Sequence, residues 1–190
     1  FLGSLLDELG LDHVTLAGNS LGGLVSWRLA AERPDLVSRL VLVAPGAYSI
    51  NGVTEEPVAV PMAVSFYLTS APEAMVAAAS AGLFGDVSRM DPALPARVHA
   101  LMNTPGVGQA LVERLEVFTL PDPTADLARV QAPTLVMWGG RDVMIPVAQA
   151  SRIAGDLPQA ELIIYDDLGH ILHEEDPART IADIRAFLAQ

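Results

Sequence analysis

The stretch Val14-Thr15-Leu16-Ala17-Gly18-Asn19-Ser20-Leu21-Gly22-Gly23 decides how the rest of the chain is read. Its apolar-rich start predicts a buried strand over 14–18, and a helical pattern runs on to Pro34. Gly18-x-Ser20-x-Gly22 therefore sits at a strand–turn–helix junction, the setting of a nucleophile elbow. The serine of such a turn is strained and neighbouring Cβ atoms clash, which accounts for the glycines. The turn lifts the Ser20 hydroxyl clear of both elements. The Leu21 N–H lies at the helix N-terminus, where donors lack partners and the dipole favours the negative charge of a tetrahedral oxyanion. Taken alone, the pattern has a second reading. Serine is a good helix N-cap, and 15 glycines in 190 residues make chance matches easy. An acid and a histidine at later strand ends decide between the two.

Composition narrows the field. With 51% hydrophobic residues and a mean hydropathy of +0.38, the chain has ample material for one core and at most an inserted subdomain. No apolar run reaches the ~20 residues of a membrane span. A net charge of −12 leaves no basic footprint for nucleic acid or an anionic membrane. The lack of cysteine excludes disulfides, thiolate metal sites and a cysteine nucleophile. The expected partner is a small-molecule substrate, with no metal and no cofactor. A homo-oligomer stays open, and the cytoplasm is the expected compartment.

Phe1, Leu2, Leu5, Leu6 and Leu9 recur at helical spacing up to Gly10. His13 reads as a surface residue at a strand entry. The helix after the elbow, 21–33, carries a stripe of Leu21, Leu24, Val25 and Leu29, with Gly22 and Gly23 letting it approach the sheet. Leu40-Val41-Leu42-Val43-Ala44 suits a strand covered on both faces, so strand, helix and strand make one βαβ unit. Between 47 and 123 no convincing strand is found. Asp91-Pro92 and Thr104-Pro105 predict helix starts, and Val107, Leu111, Leu115 and Phe118 mark one helix face. This region reads as a helical cap inserted between core parts 1–46 and 124–190. The alternative is ordinary surface helices in one continuous domain. Met62, Phe66, Met75 and Leu101 are its candidate pocket residues; Phe66, Tyr67, Phe84 and Phe118 supply aromatics to pocket or core. Strands resume at 134–138 and 161–165, with a helix at 147–154 between them. Asp176-Pro177 caps a final helix with buried Ile181, Ile184, Phe187 and Leu188.

In open parallel sheets, chemistry collects at the carboxyl ends of strands. Asp142 follows one such end and His170 another, so the chain order is Ser20, Asp142, His170. Neutral His170 can take the Ser20 proton near pH 7 and return it to a leaving group, while Asp142 orients the ring. Asp166 and Asp167 rank second as acids, being too close in sequence to His170 to come from a separate strand. His173 reads as packing near the final helix's entry, and Glu175 as a favourable charge at that helix start. Asn19 and Ile171, which flank the elbow serine and the histidine, are further candidate substrate contacts.

With these residues assembled, the chain resembles the α/β-hydrolase family. Gly-Asn-Ser-Leu-Gly-Gly is similar to its elbow and Leu-Val-Leu-Val-Ala-Pro to the strand after it. Trp-Gly-Gly-Arg-Asp, with Ile-Pro downstream, is similar to its acid loop; Gly-His170 with Glu175 and Pro177 is similar to its histidine loop. The resemblance implies an α/β fold, a parallel sheet flanked by helices with a helical cap. It implies hydrolysis by a cofactor-independent Ser-His-Asp triad, with Leu21 N–H in the oxyanion hole. Members with an aspartate nucleophile are disfavoured by Ser20. The meta-cleavage-product hydrolases share Gly-Asn-Ser but commonly carry Trp where this chain has Ile171. The family has further strands before the elbow, and a loop there donates the second oxyanion N–H. The chain is therefore expected to be the C-terminal part of a longer protein, the missing N-terminal segment covering an otherwise exposed strand edge. The expected reaction is hydrolysis of a small, fairly apolar carboxylic ester or related acyl or C–C bond. Acyl transfer or perhydrolysis by the same triad, and a catalytically silent ligand-binding module, are the alternatives.

Overall fold

Four strands, β1 (Val14–Asn19), β2 (Val37–Val43), β3 (Thr134–Gly139) and β4 (Ala160–Tyr165), form one sheet in the order β1-β2-β3-β4. All neighbours are parallel, and Leu16, Leu40, Thr134 and Ala160 stand in one register across it. The structure, a computed structural model, describes residues 1–50 and 52–190.

The residue types explain the layering. β3 is buried along its whole length, as a central parallel strand must be. Side chains alternate between faces. Leu40, Leu42, Val136 and Trp138 join one core cluster, while Val41, Val43, Leu135 and Met137 join the other. The first cluster takes in α1 (Leu2–Glu8), α2 (Leu21–Glu32), α7 (Thr124–Leu127) and α8 (Ala148–Asp156) through Leu6, Trp27, Leu127 and Ile153. The second takes in α9 (Leu172–Glu175) and α10 (Pro177–Leu188) through Leu172 and Phe187. β1 lies at the sheet edge, with Thr15 and Ala17 exposed.

Between β2 and β3 run α3 (Met62–Ser70), α4 (Glu73–Ala81), α5 (Leu94–Met102) and α6 (Val107–Glu116). Among the described residues this stretch has no strand beyond an isolated bridge between Ile50 and Val53. α3 packs on α6 and α4 on α5. Among the described residues, no helix is long and apolar enough to cross a membrane.

Several local expectations need correcting. Asp91 and Thr104 open turns rather than helices, and α5 and α6 start at Leu94 and Val107. The buried face of α6 is Gly108 and Val112, because it meets α3 backbone-to-backbone near Thr69. Leu21 and Val25 of α2, and Ile181 and Leu188 of α10, are exposed; Trp27 and Thr180 take the buried places instead. Asp176 does cap α10, its side chain accepting the Arg179 N–H.

Candidate active site

Ser20 stands between β1 and α2 with φ 53° and ψ −116°, a conformation costly for any residue with a Cβ. Its backbone is held on both sides: its N–H donates to the Val43 carbonyl, and its carbonyl accepts from Leu24 and Gly46. A Cβ on Gly18 would strike the Gly22 carbonyl, and one on Gly23 would lie 2.6 Å from Pro45 Cβ. These two glycines are sterically required. Gly22 is not, since a Cβ there would meet nothing within 4 Å. The Leu21 N–H opens α2 with no acceptor among the described residues.

Asp142 and His170 leave β3 and β4 and meet: His170 Nδ1 lies 2.8 Å from Asp142 Oδ2. Their side chains are 6% and 0% exposed. The carboxylate only accepts, so Nδ1 carries the proton and the neutral ring presents its lone pair at Nε2. The other Asp142 oxygen accepts the N–H groups of Met144 and Ile145 at 2.8 and 2.9 Å. The acid is thus fixed before the histidine is considered. The rival acids do not compete. Asp166 is exposed, and Asp167 pairs with Arg89 and Arg179, which hold its carboxyl below the usual range.

The elbow and the histidine loop are joined by Asn19. Its side-chain amide donates to the carbonyls of Val43 (3.0 Å) and His170 (3.1 Å). Asn19 is therefore a tether, not the free substrate contact its position suggested. Ser20 Oγ makes no hydrogen bond to the His170 ring among the described residues; such contacts are often long without substrate. Two fully buried tryptophans pin the flanking loops, Trp27 Nε1 donating to the Gly46 carbonyl and Trp138 Nε1 to that of Ile145.

A cavity of about 150 Å³ opens beside Ser20, lined by Leu21, Leu24, Gly46, Arg114, Phe118, Leu120 and Ile145. It is apolar apart from Ser20 and Arg114, whose guanidinium lies 4.9 Å from the Phe118 ring centre. None of the expected pocket residues Met62, Phe66, Met75 and Leu101 lines it. All four are exposed, Met62 at 88%. Ile171 is buried beside the histidine and is not part of the lining either. Sequence reasoning missed Gly46 and Ile145, although both follow strand ends. His173 is part-buried, its Nδ1 has no partner among the described residues, and burial lowers its pKa. Among the described residues no group of three or more His, Cys, Asp or Glu is placed to hold a metal ion.

Glu175 departs most from expectation. Instead of supporting the start of α10, its buried carboxylate accepts the backbone N–H groups of Gly85, Asp86 and Gly169.

Comparison with known proteins agrees with this architecture. A family model described as alpha/beta hydrolase fold matches residues 1–177. The chain is 32% identical over 190 residues to "Putative carbamate hydrolase RutD" of Pseudomonas savastanoi pv. phaseolicola, covering 95% of this chain and 70% of the relative. It is 28% identical to a 2-hydroxy-6-oxononadienedioate/2-hydroxy-6-oxononatrienedioate hydrolase of Klebsiella pneumoniae, covering 89% of this chain and 60% of that one. Among solved structures, the 2-hydroxy-6-oxo-6-phenylhexa-2,4-dienoate hydrolase of a Rhodococcus strain superposes with a TM-score of 0.83 at 20% identity, over 100% of this chain and 68% of that one. A parallel sheet with this order of motifs, matched over nearly its whole length, makes this chain a member of the alpha/beta hydrolase fold family.

Proposed function

We propose that this protein is a serine hydrolase that cleaves a small, fairly apolar carboxylic ester through an acyl-enzyme. One observation carries the reading: a buried His170–Asp142 pair, tied through Asn19 to the strained turn that presents Ser20. His170 Nε2 takes the Ser20 proton as Oγ attacks the substrate carbonyl. The oxyanion that forms is met by the Leu21 N–H and the N-terminal dipole of α2. His170 then protonates the leaving alcohol, and the Asp142 carboxylate stabilises the imidazolium between the two transfers. Water, activated by the same ring, releases the acid. Residues 47–123 act as a helical cap, contributing Arg114 and Phe118 to the pocket.

The cavity beside Ser20 is about the size that holds one benzene ring. Acetyl to butanoyl aryl esters should therefore turn over well and long acyl chains poorly. A carbamate is the second reading, favoured by the RutD relative; it requires the same attack on a carbonyl carbon.

The test is turnover of a graded ester and carbamate panel by the full-length protein, alongside labelling by a fluorophosphonate. Ser20→Ala should abolish labelling and lower kcat on the order of 10³-fold or more. An unchanged rate would overturn the reading. Alcohol, thiol or peroxide added as acceptor separates hydrolysis from acyl transfer and perhydrolysis.

A further inference from the structure

We propose that Glu175 is a positioning residue: it locks the backbone that carries His170 and makes the chain leaving α4 part of the same rigid unit. This rests on the reading of His170 as the general base.

The argument begins with an unusual burial. Glu175 is 5% exposed, yet no cationic side chain pairs with it among the described residues. Its oxygens take backbone donors only, Oε2 from Gly85 (2.9 Å) and Gly169 (2.8 Å), Oε1 from Asp86 (2.7 Å). A buried carboxylate carries a desolvation cost, and charge-assisted bonds from fixed N–H groups offset it. A neutral side chain would have avoided that cost, but only a carboxylate offers acceptors at both ends and no donor.

The three donors belong to two segments that touch. Gly169 immediately precedes the histidine; Gly85 and Asp86 follow α4. A Cβ on Gly169 would lie 2.5 Å from the Gly85 nitrogen, so the backbones meet with no side chain between them. The His170 N–H donates to the Leu83 carbonyl at 2.8 Å. Arg141, next to the acid, adds its N–H to the Leu168 carbonyl and its guanidinium to the Gly85 carbonyl. With Asn19 on the His170 carbonyl, the peptide units on both sides of the base are held. Glu175 is the side chain that closes this junction. Proton transfer in two directions needs a ring that returns to one place, and a misplacement of ~1 Å costs about 10²-fold in rate.

The experiment uses the full-length protein with Glu175→Gln. This variant keeps the shape but turns an amide N–H toward at least one backbone donor. Ile153→Val, buried in α8 and not part of the pocket lining, is the stability control. We expect kcat to fall about 10–100-fold with KM within about threefold, well beyond the control at equal loss of Tm. We also expect the downfield proton-NMR signal of His170 Nδ1–H to broaden or shift. A kcat no lower than the control's, or an unmoved signal, overturns the proposal. If Glu175→Gln does not fold, Glu175→Asp is read the same way; failure of both to fold makes Glu175 structural and also overturns it. The NMR signal needs no turnover. If Ser20→Ala retains activity, the hydrolase reading fails while the Glu175–His170 linkage is still decided.

Discussion

The side-chain amide of Asn19 donates to the backbone carbonyl of His170 across 3.1 Å and 151 residues of sequence. The residue beside Ser20 thus holds the loop of His170 directly. Asn19→Ala should lower kcat about 10–100-fold with little change in KM, because it displaces the ring without touching the pocket. Steady-state kinetics on a short aryl ester check this. Asn19→Asp should be worse, since it points a carboxylate at two carbonyl oxygens.

Asp142 and Asp167 separate the proposed triad acid from a surface ion pair. Asp142→Asn keeps the volume but removes the charge and the preference for protonated Nδ1, and kcat should fall about 10³–10⁴-fold. Asp167→Asn loses only exposed pairs with Arg179 and Arg89, which solvent screens. Its kcat should stay within about twofold of wild type. Equal losses in the two variants would show that the wrong carboxylate has been chosen.

The glycines of the elbow should not respond alike. Gly18→Ala puts a methyl into the Gly22 carbonyl and should cost on the order of 3 kcal/mol, or prevent folding. Gly22→Ala meets open space in a helix and should gain about 0.4–1 kcal/mol. Urea melts of both variants of this chain decide the matter.

His173 sets an acid-side limit on stability. Burial lowers its pKa, with neighbouring His170 adding to the effect and Glu174 opposing it. The fold thus favours the neutral ring, and the unfolded chain takes up a proton first as pH falls below about 6.5. Stability from this residue is present above that pH and is lost as pH falls through the depressed value. His173→Gln should flatten the decline of unfolding free energy below about pH 6.5 and leave turnover largely intact. A turnover loss as deep as that of His170→Gln would make His173 the base.

How much of this was legible before folding depends on whether a signal is local. Ser20, Asp142 and His170 each carry one: an apolar strand, then turn residues, then a polar group at the strand end. The sheet was legible for the same reason, since buried parallel strands are continuous apolar runs. The pocket was not. α3 and α5 are apolar helices with no buried residue, so residue type in them does not tell which side faces Ser20. Arg114 carries no local signal at all, since only the fold brings it to the cavity beside Ser20. Glu175 was read from its neighbours, yet one of its partners lies 90 residues away and is a backbone N–H, a group every residue but proline carries.

His170, the proposed base, leaves β4, an outermost strand of the described sheet, paired there with β3. Margins of a sheet loosen before its middle does. Mild heating should therefore extinguish catalysis while the circular-dichroism spectrum still reports intact helices, and the lag between the two curves would measure how firmly the borders are fastened.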